Sequence, residues 1–409
     1  MIGIKRLEVS ISLDGNEIEL GELVQDKKKI YFKFTSSFIA KELEISPFKM
    51  KLSNSILSAE TAPFNGLFGV FNDSLPDGWG QLLLDRTLIS RGVALSQITP
   101  LDRLAYVGAK GMGALIYKPS IVPEFKYVND IVLDTIATNM KEVLAGTSSE
   151  VLEELFNLGG SSGGARPKIF VGYNPLTDHL IHGSETLPDG FEHWIIKFPA
   201  AIDPIDIANI EYAYYKMALD AGIEMNPCKL FSGKSGKHYF GTKRFDREKG
   251  KRIHVHSASG LLHDNFRYSN LDYGHLMDAA FRLEKHTKAY EKILRLAIFN
   301  VYAHNRDDHS KNVAFIMDAV GNWKFAPAYD LTFSHTSHGM HSTMVAGESS
   351  NPGKKQLLKL ADEFSVKNFN VILESVQNVI FDWTKYASTY GVLNETTRLI
   401  QKVINQKKY

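Results

Sequence analysis

A core helix that ends in a run of polar residues constrains this chain more than any other feature of its sequence. Ile293, Ala297 and Val301 recur at helical spacing among other apolar residues, so the helix is predicted to be buried on most of its surface. It runs directly into residues 305–312, Asn-Arg-Asp-Asp-His-Ser-Lys-Asn. Polar groups beside a core are destabilising unless they bond one another or a ligand. The sequence therefore predicts a functional loop at the end of this helix.

The spacing within the loop is typical of phosphoryl transfer. Asp307 and Asn312 are five positions apart, as are the aspartate and asparagine of the protein kinase catalytic loop. In that chemistry the aspartate accepts the proton of the attacking hydroxyl, and the neutral asparagine oxygen holds one Mg²⁺. Asp308 is four positions from Asn312, so spacing favours Asp307 as the base. Lys311 is interpreted as neutralising phosphate charge and His309 as donating to a phosphate oxygen, with loop packing as the alternative for both.

A further aspartate follows a predicted hairpin. Residues 313–317 and 323–326 are predicted strands on either side of a turn, and they lead to Asp330 within an apolar frame. A carboxylate beside a core requires a fixed cation or donors. Kinases hold their second magnesium carboxylate after such a hairpin, so Asp330 is predicted to bind Mg²⁺ together with Asn312. The alternative is a polar turn whose aspartates cap backbone amides.

Composition is that of an ordinary globular protein. The 409 residues are 44% hydrophobic and 23% charged, and 47 basic residues nearly balance 46 acidic ones. This balance does not favour direct binding to nucleic acid or to a membrane surface. No apolar run approaches the roughly 18 residues of a membrane span, and the start lacks a signal-peptide pattern. The single cysteine, Cys228, fits a reducing compartment, so a cytoplasmic protein is expected.

The order of predicted elements indicates an α+β fold. Strands are predicted at 9–13, 30–34, 114–117, 168–171, 194–198 and 239–245, and helices at 81–88, 132–145, 150–158 and 207–221. Helical periodicity dominates from residue 271. Ser74 and Pro76 are interpreted as cap and early-turn residues of the 81–88 helix. This order is expected of a two-lobed phosphotransferase.

A lysine and a possible hinge are candidates for nucleotide binding. Lys197 stands among apolar residues on a predicted strand, where kinases place the lysine that contacts ATP phosphates and pairs with a helix glutamate. Glu211 is the candidate partner, and a snorkelling edge-strand lysine is the alternative. Residues 241–247, which include Lys243 and Phe245, are the candidate adenine-binding hinge. An amphipathic strand that ends in a salt bridge is the alternative for this segment.

A glycine-rich stretch at residues 159–168 is the candidate phosphate loop. Glycines let backbone N–H groups approach phosphates, and a lysine at the end adds positive charge. The stretch matches neither the Walker A motif nor G-x-G-x-x-G, so a flexible linker is the alternative. The residues of this stretch predicted to bind ATP are Ser161, Ser162, Gly163, Gly164 and Lys168.

Together these stretches resemble the HipA family of bacterial toxin kinases over nearly the whole chain. Residues 71–78 are similar to part of the family's N-terminal region, and residues 161–168 to its serine-containing phosphate loop. Residues 244–247, Arg-Phe-Asp-Arg, resemble its hinge. The most specific likeness is that of residues 307–312 and 329–330 to its catalytic and metal motifs.

The resemblance implies an ATP- and Mg²⁺-dependent serine/threonine kinase, the toxin of a type II toxin–antitoxin system. It implies a small helix-turn-helix antitoxin, through which any contact with nucleic acid is indirect, and a protein substrate such as an aminoacyl-tRNA synthetase. It also implies autophosphorylation of Ser161, which expels the loop. The sequence departs from the family at Asp308, often glycine there, and Ser162 leaves open which serine is modified.

The resulting prediction is a two-lobed protein kinase-like fold with an extra N-terminal β-rich subdomain and an all-helical C-lobe. The predicted limits are 1–125 for the subdomain, 126–247 for the N-lobe-like region and 248–409 for the C-lobe. Two other functions stay open. A small-molecule kinase would need an acidic pocket for an amine or sugar. A non-catalytic co-repressor would act only through its antitoxin, although Asp307, Asn312, Asp330 and Lys197 argue against it.

Overall fold

The computed structural model describes residues 2–121, 130–146, 151–183, 185–336 and 339–407. The chain has a mixed α/β architecture and divides into two units, each assembled from separate stretches of sequence. The first unit comprises Met1–Ile202, Phe231–His256 and Met317–Gly321, and the second comprises Asp203–Leu230, Ser257–Ile316 and Asn322–Tyr409. No helix within the described ranges combines the length and the apolar character needed to span a membrane.

The first unit begins with an antiparallel sheet. Its strands are β1 (Arg6–Leu13), β2 (Asn16–Asp26), β3 (Lys29–Phe34), β4 (Leu57–Ser58) and β5 (Leu115–Lys118), in the order β4-β3-β2-β1-β5. Leu7, Val9 and Ile11 are buried along β1, which is the period of two that places one strand face on a core. Asp14 and Gly15 both have positive φ and form the two-residue turn to β2, a geometry that matches the twist of paired strands.

Six helices lie in the sequence between β3 and the second sheet, four of them before β5 and two after it. They are α1 (Ser36–Ile39), α2 (Gly69–Asn72), α3 (Gly78–Ser90), α4 (Pro100–Val107), α5 (Leu133–Ala145) and α6 (Leu152–Gly159). The start of α3 corrects the sequence prediction, because its N-cap is Asp77 rather than Ser74 or Pro76. Ser74 is buried, and its hydroxyl accepts a hydrogen bond from Tyr117.

The second sheet packs on helices α3, α5 and α6. Its strands are β6 (Lys168–Asn174), β7 (His179–His182), β8 (Glu192–Lys197), β9 (Cys228–Ser232) and β10 (His238–Lys243), in the order β7-β6-β8-β10-β9. Ile169, Trp194 and Ile196 from the sheet share one core with Trp79 and Leu155 from the helices. The short strands β11 (Arg247–Glu248), β12 (Lys251–Arg252) and β13 (His254–Ser257) follow.

Helices dominate the second unit. They are α7 (Ile207–Asp220), α8 (Ala258–Leu262), α9 (Tyr273–Glu284), α10 (Lys288–Tyr302), α11 (Lys354–Glu363), α12 (Phe369–Phe381), α13 (Trp383–Thr389) and α14 (Asn394–Asn405). The predicted hairpin is present as β14 (Ala314–Met317) and β15 (Trp323–Phe325). Ile293, Ala297 and Val301 of α10 are fully buried, which confirms the predicted core helix.

Most predicted elements are confirmed to within a few residues. The strand predicted at 239–245 is shorter, since β10 ends at Lys243. The helix predicted at 150–158 corresponds to α6, and Glu150 lies outside the described residues. The predicted limit between residues 125 and 126 also lies outside them, so the three-part domain division stays a prediction.

Candidate active site

Asp307 lies in the loop after α10, and its carboxylate is open to solvent. The side chain is 57% exposed, and Oδ1 lies 3.6 Å from Nε2 of His309. The backbone of Asp307 is held on both sides: its N–H donates to Oγ of Ser334 at 3.1 Å, and its C=O accepts from Nδ2 of Asn312 at 2.7 Å. An exposed carboxylate on a fixed backbone can accept a proton from a substrate hydroxyl.

Asp308, the next residue, points into the protein and is only 2% exposed. Oδ1 accepts from the backbone N–H groups of Ser342, at 2.8 Å, and Thr343, at 3.3 Å. Oδ2 accepts from the hydroxyl of Tyr273 at 2.9 Å and lies 3.0 Å from Nδ1 of His341. A buried carboxylate surrounded by donors is stabilised as an anchor for these segments. The arrangement supports the preceding aspartate as the candidate base.

A chain of side-chain hydrogen bonds links the two adjacent aspartates. The Tyr273 hydroxyl accepts from Nδ2 of Asn300 at 2.8 Å, and Oδ1 of Asn300 accepts from Asn305 at 2.9 Å. Ser334 then donates to Oδ1 of Asn305 at 2.9 Å and accepts from the N–H of Asp307. Sequence reasoning missed Tyr273, Asn300 and Ser334, whereas Asn305 belongs to the loop that it predicted. The one available signal was Asn300, a polar residue inside the apolar helix α10.

Asn312 and Asp330 offer oxygen ligands of the kind that Mg²⁺ prefers. Because Nδ2 of Asn312 is the donor to the C=O of Asp307, Oδ1 of Asn312 is directed away from that bond and keeps its acceptor capacity. Asp330 has a φ of +55°, a backbone conformation that Asp and Asn tolerate better than other side chains. One amide oxygen and one carboxylate fit Mg²⁺, which takes its remaining ligands from phosphates and water. In the described part of the chain, no group of three or more His, Cys, Asp or Glu could hold a metal ion.

Lys311 and His309 are both packed against the ring of Phe266. Nζ of Lys311 lies 5.0 Å from the centre of that ring, and the His309 ring centre lies 5.2 Å from it. The C=O of Lys311 accepts from the hydroxyl of Tyr329 at 2.7 Å. Nδ1 of His309 is buried and makes no hydrogen bond to the described residues. Phe266 therefore fixes both basic side chains of the loop, and nothing local in the sequence indicated this role.

Two of the lysines predicted to bind nucleotide are cross-strand neighbours in the first unit. Lys168 on β6 is directly opposite Lys197 on β8, which is in turn opposite Phe240 on β10. Directly opposite residues share one face of an antiparallel sheet, where like charges repel. Nζ of Lys197 lies 5.3 Å from the centre of the Phe240 ring. Two ammonium groups on one sheet face favour an anionic ligand such as a phosphate.

The two serines of the glycine-rich loop differ in exposure. Ser161 is partly exposed, and its hydroxyl donates to the C=O of Lys110 at 3.0 Å. Ser162 is 1% exposed, and its hydroxyl donates to the C=O of Gly159 at 2.6 Å. An incoming phosphoryl group could reach Ser161 more readily, since Ser162 is enclosed.

Gly163 and Gly164 continue this loop with little room for a side chain. Gly164 has a φ of +85°, and a Cβ there would lie 2.6 Å from Nζ of Lys168. The ammonium of Lys168 is thus next to the loop backbone, and the contact of this loop with ATP phosphates stays a prediction. A Cβ at Gly163 would lie 3.2 Å from Oδ1 of Asp77, and that carboxylate accepts from the N–H of Gly164.

The predicted hinge contains a buried ion cluster. Arg244 and Arg247 contact the carboxylate of Asp246 at 2.7 and 2.6 Å. Burial alone would raise the pKa of Asp246, but the two guanidinium groups outweigh it and hold that pKa well below its usual range. Phe245 is half-buried within this rigid segment. The contact of this segment with adenine stays a prediction.

Lys243 and Glu211 are the remaining residues predicted to bind ATP. Nζ of Lys243 lies 2.6 Å from Oε1 of Glu192. Glu211 is buried in α7, in the second unit. Its pairing with Lys197 stays a prediction.

Two family models match the chain. That of the HipA N-terminal domain matches residues 11–118, and that of the HipA-like C-terminal domain matches residues 160–384, more than half of the chain. The chain belongs to the HipA family. No curated protein sequence matches this HipA-family chain significantly.

A solved structure shows the fold of this HipA-family chain. HipA of Shewanella oneidensis MR-1, in a complex with HipB and operator DNA, superposes with a TM-score of 0.67 and 17% sequence identity over 98% of this chain and 95% of that one. The fold is mixed α/β, of the two-lobed kinase-like type. The Helicobacter pylori proinflammatory kinase CtkA gives a TM-score of 0.37 and 13% identity over 53% of this chain and 86% of that one, a likeness too slight for inference.

Proposed function

We propose that this HipA-family chain is an ATP- and Mg²⁺-dependent serine/threonine protein kinase, the toxin of a type II toxin–antitoxin system. The observation that carries the proposal is the contrast between the open carboxylate of Asp307 and the enclosed one of Asp308. A base must meet the substrate hydroxyl, and only the exposed carboxylate is positioned for that.

The basic side chains provide the charge that phosphoryl transfer requires. Lys168 and Lys197 bind the phosphates of ATP from one sheet face, and Lys311 neutralises negative charge on the transferred phosphoryl group. The Phe266 ring holds Lys311 in place, which reduces the reorganisation needed at the moment of transfer. Adenine is proposed to lie against the segment of Lys243 and Phe245.

Asn312 and Asp330 are proposed to hold Mg²⁺ through one amide oxygen and one carboxylate oxygen. When bound, Mg²⁺ reduces the negative charge on the phosphates and so lowers the barrier to attack. Asn312 also fixes the C=O of Asp307 through its Nδ2. Removing the side chain of Asn312 would therefore affect both the metal and the base.

Ser161 is proposed as the site of autophosphorylation. Ser161 is partly exposed, whereas Ser162 is buried and its hydroxyl donates to the C=O of Gly159. A phosphate on Ser161 cannot donate to the C=O of Lys110 and adds roughly −1.5 to −2 charges to a loop that is proposed to bind ATP phosphates. Modification would therefore lower ATP affinity.

The partner is proposed to be a small helix-turn-helix antitoxin, since the similar Shewanella HipA was solved with HipB and operator DNA. Nucleic acid would then be contacted only through that antitoxin. The proposed substrate is a protein of translation, such as an aminoacyl-tRNA synthetase, in the cytoplasm.

The proposal is tested by transfer of labelled γ-phosphate from ATP in the presence of Mg²⁺. Wild-type protein should label itself and a protein substrate, and Asp307→Asn should lower the rate about 100-fold or more while retaining ATP binding. Asp362→Asn, at an exposed position of α11, is the matched control and should keep full activity. Absence of labelling in wild-type protein, with antitoxin binding intact, would instead support a non-catalytic co-repressor.

A further inference from the structure

The N-terminus of α3 is capped by the glycine-rich loop. The N–H of Trp79, at the second position of the helix, donates to the C=O of Gly164 at 2.9 Å. In return, the N–H of Gly164 donates to the carboxylate of Asp77, the N-cap residue. We call these two hydrogen bonds the shared cap. One residue of the loop, Gly164, thus accepts from a helix N–H through its C=O and is itself held, through its own N–H, by the residue that precedes the helix.

Close packing around the shared cap depends on glycine. A Cβ at Gly78 would lie 2.3 Å from the C=O oxygen of Gly164, and one at Gly80 would lie 2.2 Å from that of Ser162. Gly78 also has a φ of +47°, which other L-residues rarely adopt. The first turn of α3 therefore fits against the loop backbone as no turn with side chains at these positions could.

Asp77 is unusual in what its side chain bonds. An aspartate at an N-cap normally accepts from a backbone N–H two or three positions into its own helix. The side chain of Asp77 makes no such bond to α3, and the N–H of Trp79 donates to the C=O of Gly164 instead. If the loop moved away, the N–H of Trp79 would lose its acceptor. The carboxylate of Asp77, the N-cap residue, could then accept from it.

The two arrangements thus exchange one helix cap for another. With the loop in place, Asp77 holds Gly164, and Gly164 caps α3. With the loop displaced, Asp77 caps α3 itself. Because the helix keeps an acceptor in both arrangements, displacement loses less than the full shared cap, and a small free-energy difference can set the balance.

We propose that Asp77 is a positioning residue that sets how firmly the glycine-rich loop is held for nucleotide binding. The proposal rests on the proposed function, in which this loop binds ATP phosphates. Asp77 does not touch the reacting atoms in this account, since it acts through the backbone of Gly164. The loop is also held by the hydrogen bond from the Ser161 hydroxyl to the C=O of Lys110, in which Asp77 takes no part.

Three substitutions at Asp77 separate holding the loop from capping the helix. Asn keeps an oxygen at the same reach, so Asp77→Asn should change ATP affinity by less than about two-fold. Ser caps helices well, but its side chain is shorter than that of Asp and should not reach the N–H of Gly164. The loop would then be held less firmly, so Asp77→Ser should weaken ATP binding about five-fold, or about 1 kcal/mol. Asp77→Ala should weaken it similarly and, unlike Asp77→Ser, lower the melting temperature.

The measurements use full-length protein that also carries Asp307→Asn, so that no variant modifies itself. ATP affinity is measured by titration, and amide hydrogen exchange of residues 162–164 is followed without nucleotide. Asp77→Ser and Asp77→Ala should both speed that exchange. Thr99→Ala is the matched control: it removes the side-chain cap of α4 in the same unit and should lower the melting temperature without altering ATP affinity or loop exchange.

Unchanged loop exchange in Asp77→Ser would overturn the proposal, as would equal loss of ATP affinity in Thr99→Ala and Asp77→Ala. Failure of the proposed function gives a different pattern. In that case the Asp307→Asn protein with Asp77 intact would not bind ATP, while faster loop exchange in Asp77→Ser would still support the role of Asp77 in holding Gly164.

Discussion

The hydroxyl of Tyr273 donates to Oδ2 of Asp308 at 2.9 Å, although the two residues are 35 positions apart in the sequence. The same hydroxyl accepts from Asn300, so it connects the buried carboxylate to the core helix α10. This bond gives two adjacent aspartates different surroundings. Asp308 is fixed among donors, and Asp307 is left at the surface with its backbone held.

Replacing Asp308 should destabilise the protein far more than replacing Asp307. In Asp308→Asn the amide nitrogen would face a donor, leaving buried N–H groups of Ser342 and Thr343 or the Tyr273 hydroxyl without a full acceptor. The expected loss in the free energy of unfolding is about 3 kcal/mol. Urea unfolding measures it, with Asp307→Asn as the control, expected within about 0.5 kcal/mol of wild type. Equal stability of the two variants would contradict the anchoring role.

Asp330→Asn should remove the negative charge of this residue while keeping its backbone conformation. Asn tolerates the φ of +55° as well as Asp does, so the fold and melting temperature should be retained. The missing carboxylate should raise the Mg²⁺ concentration required for phosphoryl transfer about 10-fold or more and lower its maximal rate. Asp330→Ala, which lacks both the oxygen and the tolerance of positive φ, should lose stability as well. An unaltered Mg²⁺ dependence in Asp330→Asn would remove Asp330 from the metal site.

Phosphate should be found on Ser161 rather than Ser162. The Ser162 hydroxyl is enclosed, and its hydrogen bond to Gly159 would have to break before it could react. Mass spectrometry of active protein should therefore detect phosphate on Ser161, and Ser161→Ala should abolish the modification while Ser162→Ala retains it. Modification confined to Ser162 would show that the loop reacts in a different arrangement.

Acid should destabilise the protein partly through His254. Burial lowers its pKa to about 4 from an ordinary value of 6.5, because the charged imidazolium would be desolvated. Between these two pH values the unfolded chain binds a proton that the folded protein does not, so stability falls as pH falls. The slope from this residue is about 1.4 kcal/mol per pH unit between pH 6.5 and about 4, and zero above and below that range.

Urea unfolding at several pH values, with His254→Gln for comparison, tests this expectation. The variant should show a shallower loss of stability between pH 6.5 and 4. His193, which is half-buried, and His304, which is buried, keep part of the slope in both proteins, because desolvation lowers the pKa of each to about 3. Identical slopes would mean that His254 does not carry this linkage.

Spacing within one short segment of the sequence predicted part of the candidate site, whereas contacts between distant segments could not be predicted. Asp307 and Asn312 are five residues apart, and their hydrogen bond lies within one short loop. The donors to Asp308 come from segments more than 30 residues away on either side, and the contact of Asp77 with Gly164 spans 87 residues. Such pairs arise from packing of elements, which periodicity and spacing do not specify.

The start of α3 shows the same limit at short range. Residues 74–78, Ser-Leu-Pro-Asp-Gly, contain several residues that favour helix starts, so sequence alone could not choose among them. The choice of Asp77 is linked to Gly78, whose positive φ brings the first turn onto the backbone of Gly164. Gly164, which determines this choice, lies 87 positions after Asp77 in the sequence.

The bonds around Asp307 and Asp308 also order events during synthesis. Ribosomes make Asp307 before Ser334, Ser342 and Thr343, which supply the acceptor and donors that hold the loop. A nascent chain that ends before residue 334 carries residues 307–312 with the contacts of Asn312 and Tyr273, but it lacks the bonds to Ser334, Ser342 and Thr343. The bonds that hold the proposed catalytic loop are therefore complete only after residues 334–343 have been made.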